Sequence, residues 1–426
     1  MSFPLKKQIK RVIEEPVIDY LSHSRIVYIQ GARQVGKSTL VKKIAQKLHG
    51  RYVTFDDDVE LKKATEDPKG YVNQIGSDLL IIDEVQLAPE LWKAMKMKVD
   101  EDTRPGQLLL TGSTYTLTSS KTPDSLAGRI THFSLAPFSE AELHRVSGKL
   151  EYLLASEDTH LAELMKYSGV LTKEQYLDKA LIGGYPQVVL SEDKVKSRRE
   201  LRNYVESLIA KDQETFASYK PKQQLVKAIN ILALSTGQEF IQTNFAQKMG
   251  FDNTLANEYL EVFENLFLVS TLQPWFSNEL KRVVKKPKVI FNDSGLAVTI
   301  SGLSKDKLLN DEVGRTYSGQ LFETFAINEI LRQLNTMIDT PYRSYHYRDA
   351  SKKKHEIDLI LEDSLGKVFC FEFKLNSTAA GAEEHLEWMK DQIGEKFARG
   401  FVFYTGKEVQ WLGDRIWKVP LSFLWS

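Results

Sequence analysis

The stretch Gly31-Ala32-Arg33-Gln34-Val35-Gly36-Lys37-Ser38 fits the pattern G-x-x-x-x-G-K-[ST] at every fixed position. The apolar run Ile26–Ile29 leads into it, and the amphipathic stretch Lys37–Leu48 leads out of it. This context predicts a strand, a tight loop and a helix that begins at the loop. Backbone N–H groups in such a loop point at phosphate oxygens, and the helix dipole favours negative charge there. We therefore expect this stretch, together with Thr39, to bind the phosphates of ATP.

The side chains that a triphosphate needs come from the end of this loop and from a second strand. Lys37 would reach the β- and γ-phosphates, and the hydroxyl of Ser38 would be a ligand of Mg²⁺. In Leu79-Leu80-Ile81-Ile82-Asp83-Glu84, four apolar residues precede two carboxylates, at the strand end where open α/β sheets bind ligands. We expect Asp83 to hold Mg²⁺, directly or through water, and Glu84 to act as general base on the attacking water. The alternative is a solvated strand end followed by a turn.

Two further polar positions are weaker candidates for this site. The apolar strand Leu108–Leu110 ends in Thr111, Gly112 and Ser113, and either hydroxyl would suit a γ-phosphate or the lytic water. Polar residues are common at strand ends, so an ordinary turn is an equal alternative.

Arg129 closes the stretch Ser125-Leu126-Ala127-Gly128-Arg129. Its guanidinium would stabilise charge on the transferred phosphoryl group, in cis or from a neighbouring copy of the chain, unless it only forms a surface salt bridge. Arg33, inside the loop, faces either a partner or solvent.

Composition excludes several classes of protein. The chain has 426 residues, which suggests about two to four domains. Its formal net charge is zero, so no overall positive field indicates nucleic-acid binding. The single cysteine, Cys370, allows neither an intrachain disulfide nor a cysteine-based zinc site, and its apolar neighbours predict a core position. Without an apolar leader or a run near 20 apolar residues, we expect a cytoplasmic protein with no membrane partner.

Short apolar runs alternate with amphipathic stretches over the first ~150 residues, a pattern that predicts a parallel α/β sheet covered on both faces. The predicted strands are Arg25–Gln30, Arg51–Phe55, Asp78–Asp83, Gln107–Gly112 and Ile130–Ser134. Helices are predicted at Lys37–Leu48 and Pro89–Glu101. The C-terminal ~110 residues are mixed again, with a helix at Gln320–Leu334 and strands at Glu356–Leu361, Val368–Lys374 and Gly400–Thr405.

The ordered set of motifs resembles the AAA-type ATPases of bacteria and archaea that carry a C-terminal DUF4143 domain. Besides the loop, Ile82–Gln86 and Leu126–Arg129, the resemblance rests on Gly183-Gly184-Tyr185-Pro186, Lys286–Leu296, Gly319–Glu323 and a closing Glu-Phe-Lys. It implies an AAA-like P-loop core over residues 1–145 and a helical lid over 146–220. It further implies a winged-helix module over 221–290 and a nuclease-like α/β domain over 291–426.

The segments Thr243–Met249 and Thr254–Leu268 have helix-turn-helix spacing. The second carries Glu258, Glu261 and Glu264 and no basic residue, so it would repel a phosphate backbone. We therefore favour a protein-packing or lid role over DNA reading. The basic cluster Lys281, Arg282, Lys285, Lys286 and Lys288 is either a contact to nucleic acid or a solvated hairpin.

Four C-terminal residues, Glu323, Asp358, Glu372 and Lys374, resemble the PD-(D/E)xK nuclease pattern. In that pattern the acids bind Mg²⁺ and the lysine orients a water. Glu372 and Lys374 lie two apart on one strand and so share a face. The alternative is a set of ordinary ion pairs, since a nuclease-like fold does not establish nuclease chemistry. The run Lys352-Lys353-Lys354-His355 either guides a phosphate backbone or is a solvated strand entrance.

Three hypotheses follow. The first is Mg²⁺-dependent ATP hydrolysis that controls the conformation of the distal modules. The second is an ATP-gated DNA-processing nuclease. The third is a switch in which ATP regulates binding to a partner protein without turnover. Assembly into a homo-oligomer stays open in all three.

Overall fold

A computed structural model of the chain describes residues 9–74, 76, 78–113, 126, 128–155, 161–212, 222–276, 286–338, 340–349 and 355–426. The contacts within the molecule divide it into two compact units. The first is Met1–Phe138 with Asn265–Phe267, and the second is Ser139–Glu264 with Leu268–Ser426. In the ranges just given, no helix is both long enough and apolar enough to cross a bilayer.

The first unit contains a parallel sheet. Its strands are β1 (Ile26–Gln30), β2 (Arg51–Thr54), β3 (Leu80–Asp83), β4 (Leu108–Gly112) and β5 (Ile130–Ser134). They lie in the order β2-β3-β4-β1-β5, and every neighbouring pair is parallel. The predicted parallel α/β core is confirmed. Because β4 lies between β1 and β3, its end is next to both the loop and the acidic strand end.

Helices connect these strands. They are α1 (Glu14–Leu21), α2 (Lys37–Leu48), α3 (Asp58–Glu66), α4 (Pro68–Asn73) and α5 (Leu91–Glu101). Strands β1, β3 and β4 are buried along their whole length, which fits their uninterrupted apolar runs. Trp92 of α5 contacts Tyr28 of β1 edge to face, with ring centroids 5.8 Å apart.

The second unit contains a mixed sheet of nine strands. These are β6 (Gln238–Glu239), β7 (Val269–Pro274), β8 (Lys288–Phe291), β9 (Arg343–Arg348), β10 (Glu356–Glu362), β11 (Val368–Lys374), β12 (Phe397–Tyr404), β13 (Gln410–Gly413) and β14 (Ile416–Pro420). Their order is β13-β14-β12-β11-β10-β9-β7-β8-β6. Strands β7 and β9 pair in parallel, so one sheet continues across the boundary that we predicted at residue 290. Cys370 is buried in its core, as predicted.

The helices of this unit vary widely in length. They are α6 (Glu140–His144), α7 (Leu150–Ala155), α8 (Lys173–Ile182), α9 (Pro186–Val189), α10 (Lys194–Asp212), α11 (Lys222–Ala233), α12 (Gln242–Met249), α13 (Thr254–Asn265), α14 (Ser294–Ser301), α15 (Lys305–Asn310), α16 (Glu312–Leu334) and α17 (Glu383–Ile393). The central helix α16 begins at Glu312, eight residues before the predicted start at Gln320, with Asp311 as its N-cap.

Two motifs of the resemblance meet at the carboxylate of Asp293. It accepts hydrogen bonds from the backbone N–H of Gly184 at 2.7 Å and of Leu296 at 2.9 Å. The guanidinium of Arg332 donates to it at 3.0 Å. The Gly-Gly-Tyr-Pro turn and the Asn-Asp-Ser-Gly-Leu turn therefore form one buried junction, which accounts for both motifs structurally.

Candidate functional site

The loop after β1 needs glycine at both of its fixed positions. Gly31 has a φ of +154°, and a Cβ there would lie 2.2 Å from the carbonyl oxygen of Leu135. Gly36 precedes α2 with a φ of +102°, in the left-handed region that side chains disfavour. The loop can therefore keep this tight course only with glycine at these two positions.

Arg11, which precedes α1, forms a hydrogen bond with the backbone of the loop. Its Nη1 donates to the carbonyl of Val35 at 2.7 Å, and its Nη2 donates to the carbonyl of Ala136 at 2.6 Å. The guanidinium also lies 4.6 Å from the ring centroid of Phe138. Nothing in the sequence pattern indicated this residue, because its partners are 24 and 125 positions away.

Lys37 lies inside the loop with only 4% of its surface exposed. Its Nζ donates to the carbonyls of Gly31 at 2.8 Å and Ala32 at 2.9 Å. Burial lowers the pKa of Lys37 to about 8, and the charges of Glu84 and Asp83 only partly oppose that shift. A buried cation whose hydrogen bonds go to neutral carbonyls is electrostatically prepared for an incoming anion.

Asp83 ends β3 and is almost completely buried. Its Oδ2 accepts a hydrogen bond from the hydroxyl of Tyr52 at 2.8 Å, and its Oδ1 accepts one from the hydroxyl of Thr111. Tyr52 lies on β2 and Thr111 on β4, so the two strands that flank β3 both hold this carboxylate. This fixes its orientation at the carboxyl edge of the sheet.

Glu84 adopts the left-handed conformation, with φ 61° and ψ 45°, and its N–H donates to the Thr111 hydroxyl at 3.1 Å. Left-handed backbone is uncommon outside glycine and is found preferentially at functional sites. The Oε2 of Glu84 accepts hydrogen bonds from the Ser113 hydroxyl at 3.0 Å and from the side-chain amide of Gln86. The carboxylate is thereby held beside the end of β4.

The Ser113 hydroxyl connects this acid to the loop. It accepts from the Nε of Arg33 at 3.3 Å and from the amide of Gln86 at 3.1 Å, while donating to Glu84. The position of Arg33, which the sequence left open, is thus part of this network. Thr111 and Ser113 were predicted as alternatives, but the structure uses both, one for each acid.

The residues at this edge fit a magnesium ion. Ser38 is the second residue of α2 and is half-buried, while Asp83 offers a carboxylate at the neighbouring strand end. A hydroxyl and a carboxylate are the hard oxygen donors that Mg²⁺ prefers, with substrate phosphates and water completing the shell. Gln34 and Thr39 are exposed on the outside of the same turn.

The prediction that Arg129 serves this site in cis is wrong. Arg129 precedes β5, whose Ile130 pairs with Ile26 at the amino end of β1, whereas the loop follows the carboxyl end. Five residues of strand separate the two ends, roughly 15 Å. Arg129 instead forms an ion pair with Asp100. A role contributed by a neighbouring copy stays a prediction, and Ser125 and Ala127 of its motif lie outside the described residues.

The four C-terminal candidates do come together, but around a lysine. Asp358 on β10 and Glu372 on β11 are register neighbours, and Glu323 approaches from α16. Lys288, with 1% of its surface exposed, places its Nζ 2.6 Å from Glu323 Oε1 and 3.5 Å from Asp358 Oδ1. Lys374 Nζ lies 2.9 Å from Glu372 Oε2. We call the four acids Glu323, Glu356, Asp358 and Glu372, together with Lys288 and Lys374, the carboxylate cluster.

The charges of the carboxylate cluster shift each other's pKa. Burial and the charge of Asp358 raise the pKa of Glu323 to about 8. Burial, and then Asp358, raise the pKa of Glu372 well above its ordinary range. Burial alone would lower the pKa of Lys288, but the charges of Glu323, Asp358 and Glu356 outweigh it and raise that pKa.

The structure bears on two sequence interpretations. Lys288 was grouped with a basic cluster as a nucleic-acid contact or a solvated residue, and it is neither because it is buried among acids. For Glu323, Asp358 and Glu372 the sequence offered Mg²⁺ binding or ordinary ion pairs; Mg²⁺ binding stays a prediction, and no group of three or more acids, histidines or cysteines in the described ranges is arranged for a metal. Lys281, Arg282, Lys285 and Lys352–Lys354 lie outside those ranges, while Lys286 is exposed.

Comparisons with known proteins agree with this architecture. A protein-family model described as an AAA domain matches residues 23–144, and one described as DUF4143, a domain of unknown function, matches residues 318–424. The chain carries an AAA domain and a C-terminal DUF4143 domain. A third model, DUF8612, also a domain of unknown function, matches residues 173–307 between them and was not predicted.

Two relatives match most of the chain. An uncharacterized protein of Mycobacterium tuberculosis is 24% identical over 406 residues, covering 94% of this chain and 81% of the relative. One of Methanocaldococcus jannaschii is 22% identical over 384 residues, covering 86% and 79%.

Solved structures resemble the AAA–DUF4143 chain weakly. A Walker-type ATPase of Pyrococcus abyssi has 13% identity and a TM-score of 0.40, covering 70% of this chain and 97% of that one. The RuvB Holliday junction branch migration motor of Thermotoga maritima has 16% identity and a TM-score of 0.29, covering 62% and 91%.

Proposed function

We propose that the AAA domain binds ATP with Mg²⁺ and hydrolyses it. The observation that carries this proposal is Lys37, a buried ammonium whose hydrogen bonds go to the neutral carbonyls of Gly31 and Ala32. An anion of several charges would neutralise it, and the loop offers N–H donors for phosphate oxygens. Asp83 and Glu84, at the carboxyl end of β3, would supply a metal ligand and a general base.

Each side chain then has a distinct task. Lys37 would leave the carbonyls of Gly31 and Ala32 and donate to phosphate oxygens, which spreads their negative charge. Asp83, oriented by Tyr52 and Thr111, and the Ser38 hydroxyl would hold the metal. When bound, Mg²⁺ neutralises charge that develops on the phosphates. Glu84 would take a proton from the attacking water.

The contacts of Glu84 indicate how turnover would be controlled. In the structure its Oε2 is occupied by Ser113 and Gln86, and Ser113 also contacts Arg33 of the loop. These two hydrogen bonds occupy the oxygen that would otherwise accept a hydrogen bond from water. Displacement of Arg33 or Ser113 by a γ-phosphate would therefore release Glu84 toward water, and hydrolysis would begin only with a bound triphosphate.

The second unit would respond to nucleotide state. The element order α11, β6, α12, α13, β7, β8, with β8 pairing both β6 and β7, supports the winged-helix assignment. The exposed side of α13 presents Asn257, Glu258 and Glu261. Because this surface is acidic, it favours contact with a protein over contact with nucleic acid. We therefore prefer conformational control of the distal modules to DNA processing.

The test is phosphate release from ATP with Mg²⁺, with and without DNA, by the full chain. We expect release by the wild type, its loss in Lys37→Ala, and wild-type release in Lys93→Ala, which removes an exposed lysine of α5. ATP binding without any release above that of Lys37→Ala would refute hydrolysis and favour the regulatory switch. The absence of ATP binding would refute the proposal altogether.

A further inference from the structure

Lys288 is the first residue of β8, and its ammonium is surrounded by carboxylates. Its Nζ lies 2.6 Å from Glu323, 3.5 Å from Asp358 and 3.7 Å from Glu356. These acids come from helix α16 and from two positions of strand β10. A lysine with 1% exposure and three acidic neighbours is a fully engaged internal cation rather than a surface ion pair.

The oxygens that a divalent cation would need already have partners. Asp358 Oδ2 accepts the backbone N–H of Phe373 at 2.9 Å, and its Oδ1 faces Lys288. Glu323 Oε1 accepts from Lys288, and Glu372 Oε2 accepts from Lys374 at 2.9 Å. Glu372 Oε1 is buried without a hydrogen-bond partner among the described residues. Each of the four carboxylates therefore already faces a lysine ammonium, which supplies the positive charge that a divalent cation would otherwise bring.

The backbone holds Lys288 at this position. Lys288 pairs with Glu239 of β6 on one side of β8 and with Leu272 of β7 on the other. These two pairings fix the backbone of Lys288, and its side chain is enclosed, with 1% of its surface exposed. Its direct contact with Glu323 also excludes a metal from the same oxygen, because metal–oxygen bonds of 2.0–2.6 Å would bring the two cations together.

We propose that the ammonium of Lys288 takes the place of a divalent cation in the carboxylate cluster, so that this part of the DUF4143 domain binds no metal. Lys288 belongs to the segment that matches DUF8612, whereas all the acids belong to the segment that matches DUF4143. The cation is thus supplied by one matched region to the acids of the next. The cluster therefore has a structural role, and it provides no divalent cation for metal-dependent DNA cleavage.

Titration of nucleotide-free full-length protein with Mn²⁺, followed by the free-ion electron paramagnetic resonance signal, tests this proposal. Wild type and Asp358→Asn should take up the same amount of Mn²⁺. Lys288→Ala, which vacates the position, should gain one bound Mn²⁺ per chain, and its thermal midpoint should rise when Mn²⁺ is added. Lys286→Ala removes an exposed lysine two residues earlier and should behave as wild type.

Two results would overturn the proposal. The first is one Mn²⁺ per wild-type chain that is lost in Asp358→Asn, because the acids would then hold a metal despite Lys288. The second is a folded Lys288→Ala that gains no Mn²⁺, because the cluster would then not be a cation site at all. If Lys288→Ala does not fold, the comparison of wild type with Asp358→Asn still decides the question. Nucleotide is absent throughout, so failure here is separate from failure of ATP hydrolysis.

Discussion

Lys37 in the phosphate loop and Lys288 in the carboxylate cluster are both almost completely buried, yet their surroundings are electrostatically opposite. Lys37 donates to two backbone carbonyls, and burial lowers its pKa to about 8. Lys288 contacts Glu323 at 2.6 Å, and the neighbouring acids raise its pKa against the effect of burial. The same side chain is thus hydrogen-bonded to neutral carbonyls in one unit and to a carboxylate in the other.

This difference separates a binding site from a structural joint. A buried cation whose hydrogen bonds go to neutral groups costs folding free energy, and an anionic ligand that binds it stabilises the folded chain. A buried cation among carboxylates has its partners built in and has no need of a ligand. The two lysines should therefore respond in opposite ways to the same substitution.

The largest effect should come from Glu84→Gln, which tests the ligand-dependent side of the comparison. Removal of a general base typically slows a reaction by about 10²–10⁴-fold. We expect phosphate release to fall by that order, while ATP still binds because Lys37 and the loop are intact. Phosphate-release kinetics and a nucleotide-binding titration measure the two quantities. Unchanged turnover would show that Glu84 is not the base.

Methionine at each lysine tests the comparison directly. Lys288→Met leaves buried carboxylates without their cation, and we expect the free energy of unfolding to fall by about 3–5 kcal/mol. Lys37→Met replaces a buried ammonium, hydrogen-bonded to neutral carbonyls, with an apolar side chain of similar volume. It should leave the free energy of unfolding unchanged or raise it. Denaturant unfolding in the absence of nucleotide measures both. Equal destabilisation by the two substitutions would contradict the electrostatic contrast.

Glu329 on α16 extends the comparison to a buried acid. Its carboxylate accepts from the N–H of Glu140 at 2.7 Å and from Gln333 at 2.8 Å, and burial raises its pKa from 4.5 to about 7. The folded state therefore binds more protons than the unfolded state between these values, so stability should fall as pH rises from about 4.5 to 7. The loss attributable to Glu329 is at most about 3 kcal/mol.

Glu329→Gln supplies the matched variant for this prediction. It keeps the shape of the side chain and cannot ionise, so its unfolding free energy should decline less than that of the wild type over the same pH interval. Parallel pH profiles for the two proteins would show that Glu329 does not titrate there.

The smallest effect is expected from Arg129→Ala. Arg129 lies at the opposite edge of the sheet from the loop and pairs with Asp100 at a partly exposed position. Such pairs contribute about 0–1 kcal/mol, so both stability and phosphate release should stay close to wild type. A large loss of release that depends on protein concentration would instead place Arg129 at the site of a neighbouring copy.

The first sheet was predictable because its signals are local. Strand β5 and helix α2 have the predicted bounds, and β1 to β4 differ by no more than two residues at either end. Continuous apolar runs ending in glycine or carboxylate specify both the strands and the polar edge. The short helices α1, α3 and α4 were not predicted, since brief amphipathic patterns give little periodicity to recognise.

The partners of the site residues were not predictable, because they depend on strand register. Tyr52 reaches Asp83 only because β2 and β3 pair with Val53 opposite Ile82. Lys288 reads as one lysine in a basic run, and its burial is set by acids 35 to 70 positions further on. Gln86 was the exception that the sequence could have revealed, since it lies two residues after Glu84.

Lys288 lies outside the segment that matches DUF4143, and this affects how the C-terminal part can be expressed as a fragment. A fragment that starts at residue 318, where the DUF4143 match begins, would contain every acid of the cluster and lack Lys288. Such a fragment would bring several acidic groups together without the buried lysine that contacts three of them, and we expect it to be recovered in inclusion bodies. Recombinant work on the C-terminal part should therefore begin upstream of β6, so that the lysine and its acids are synthesised together.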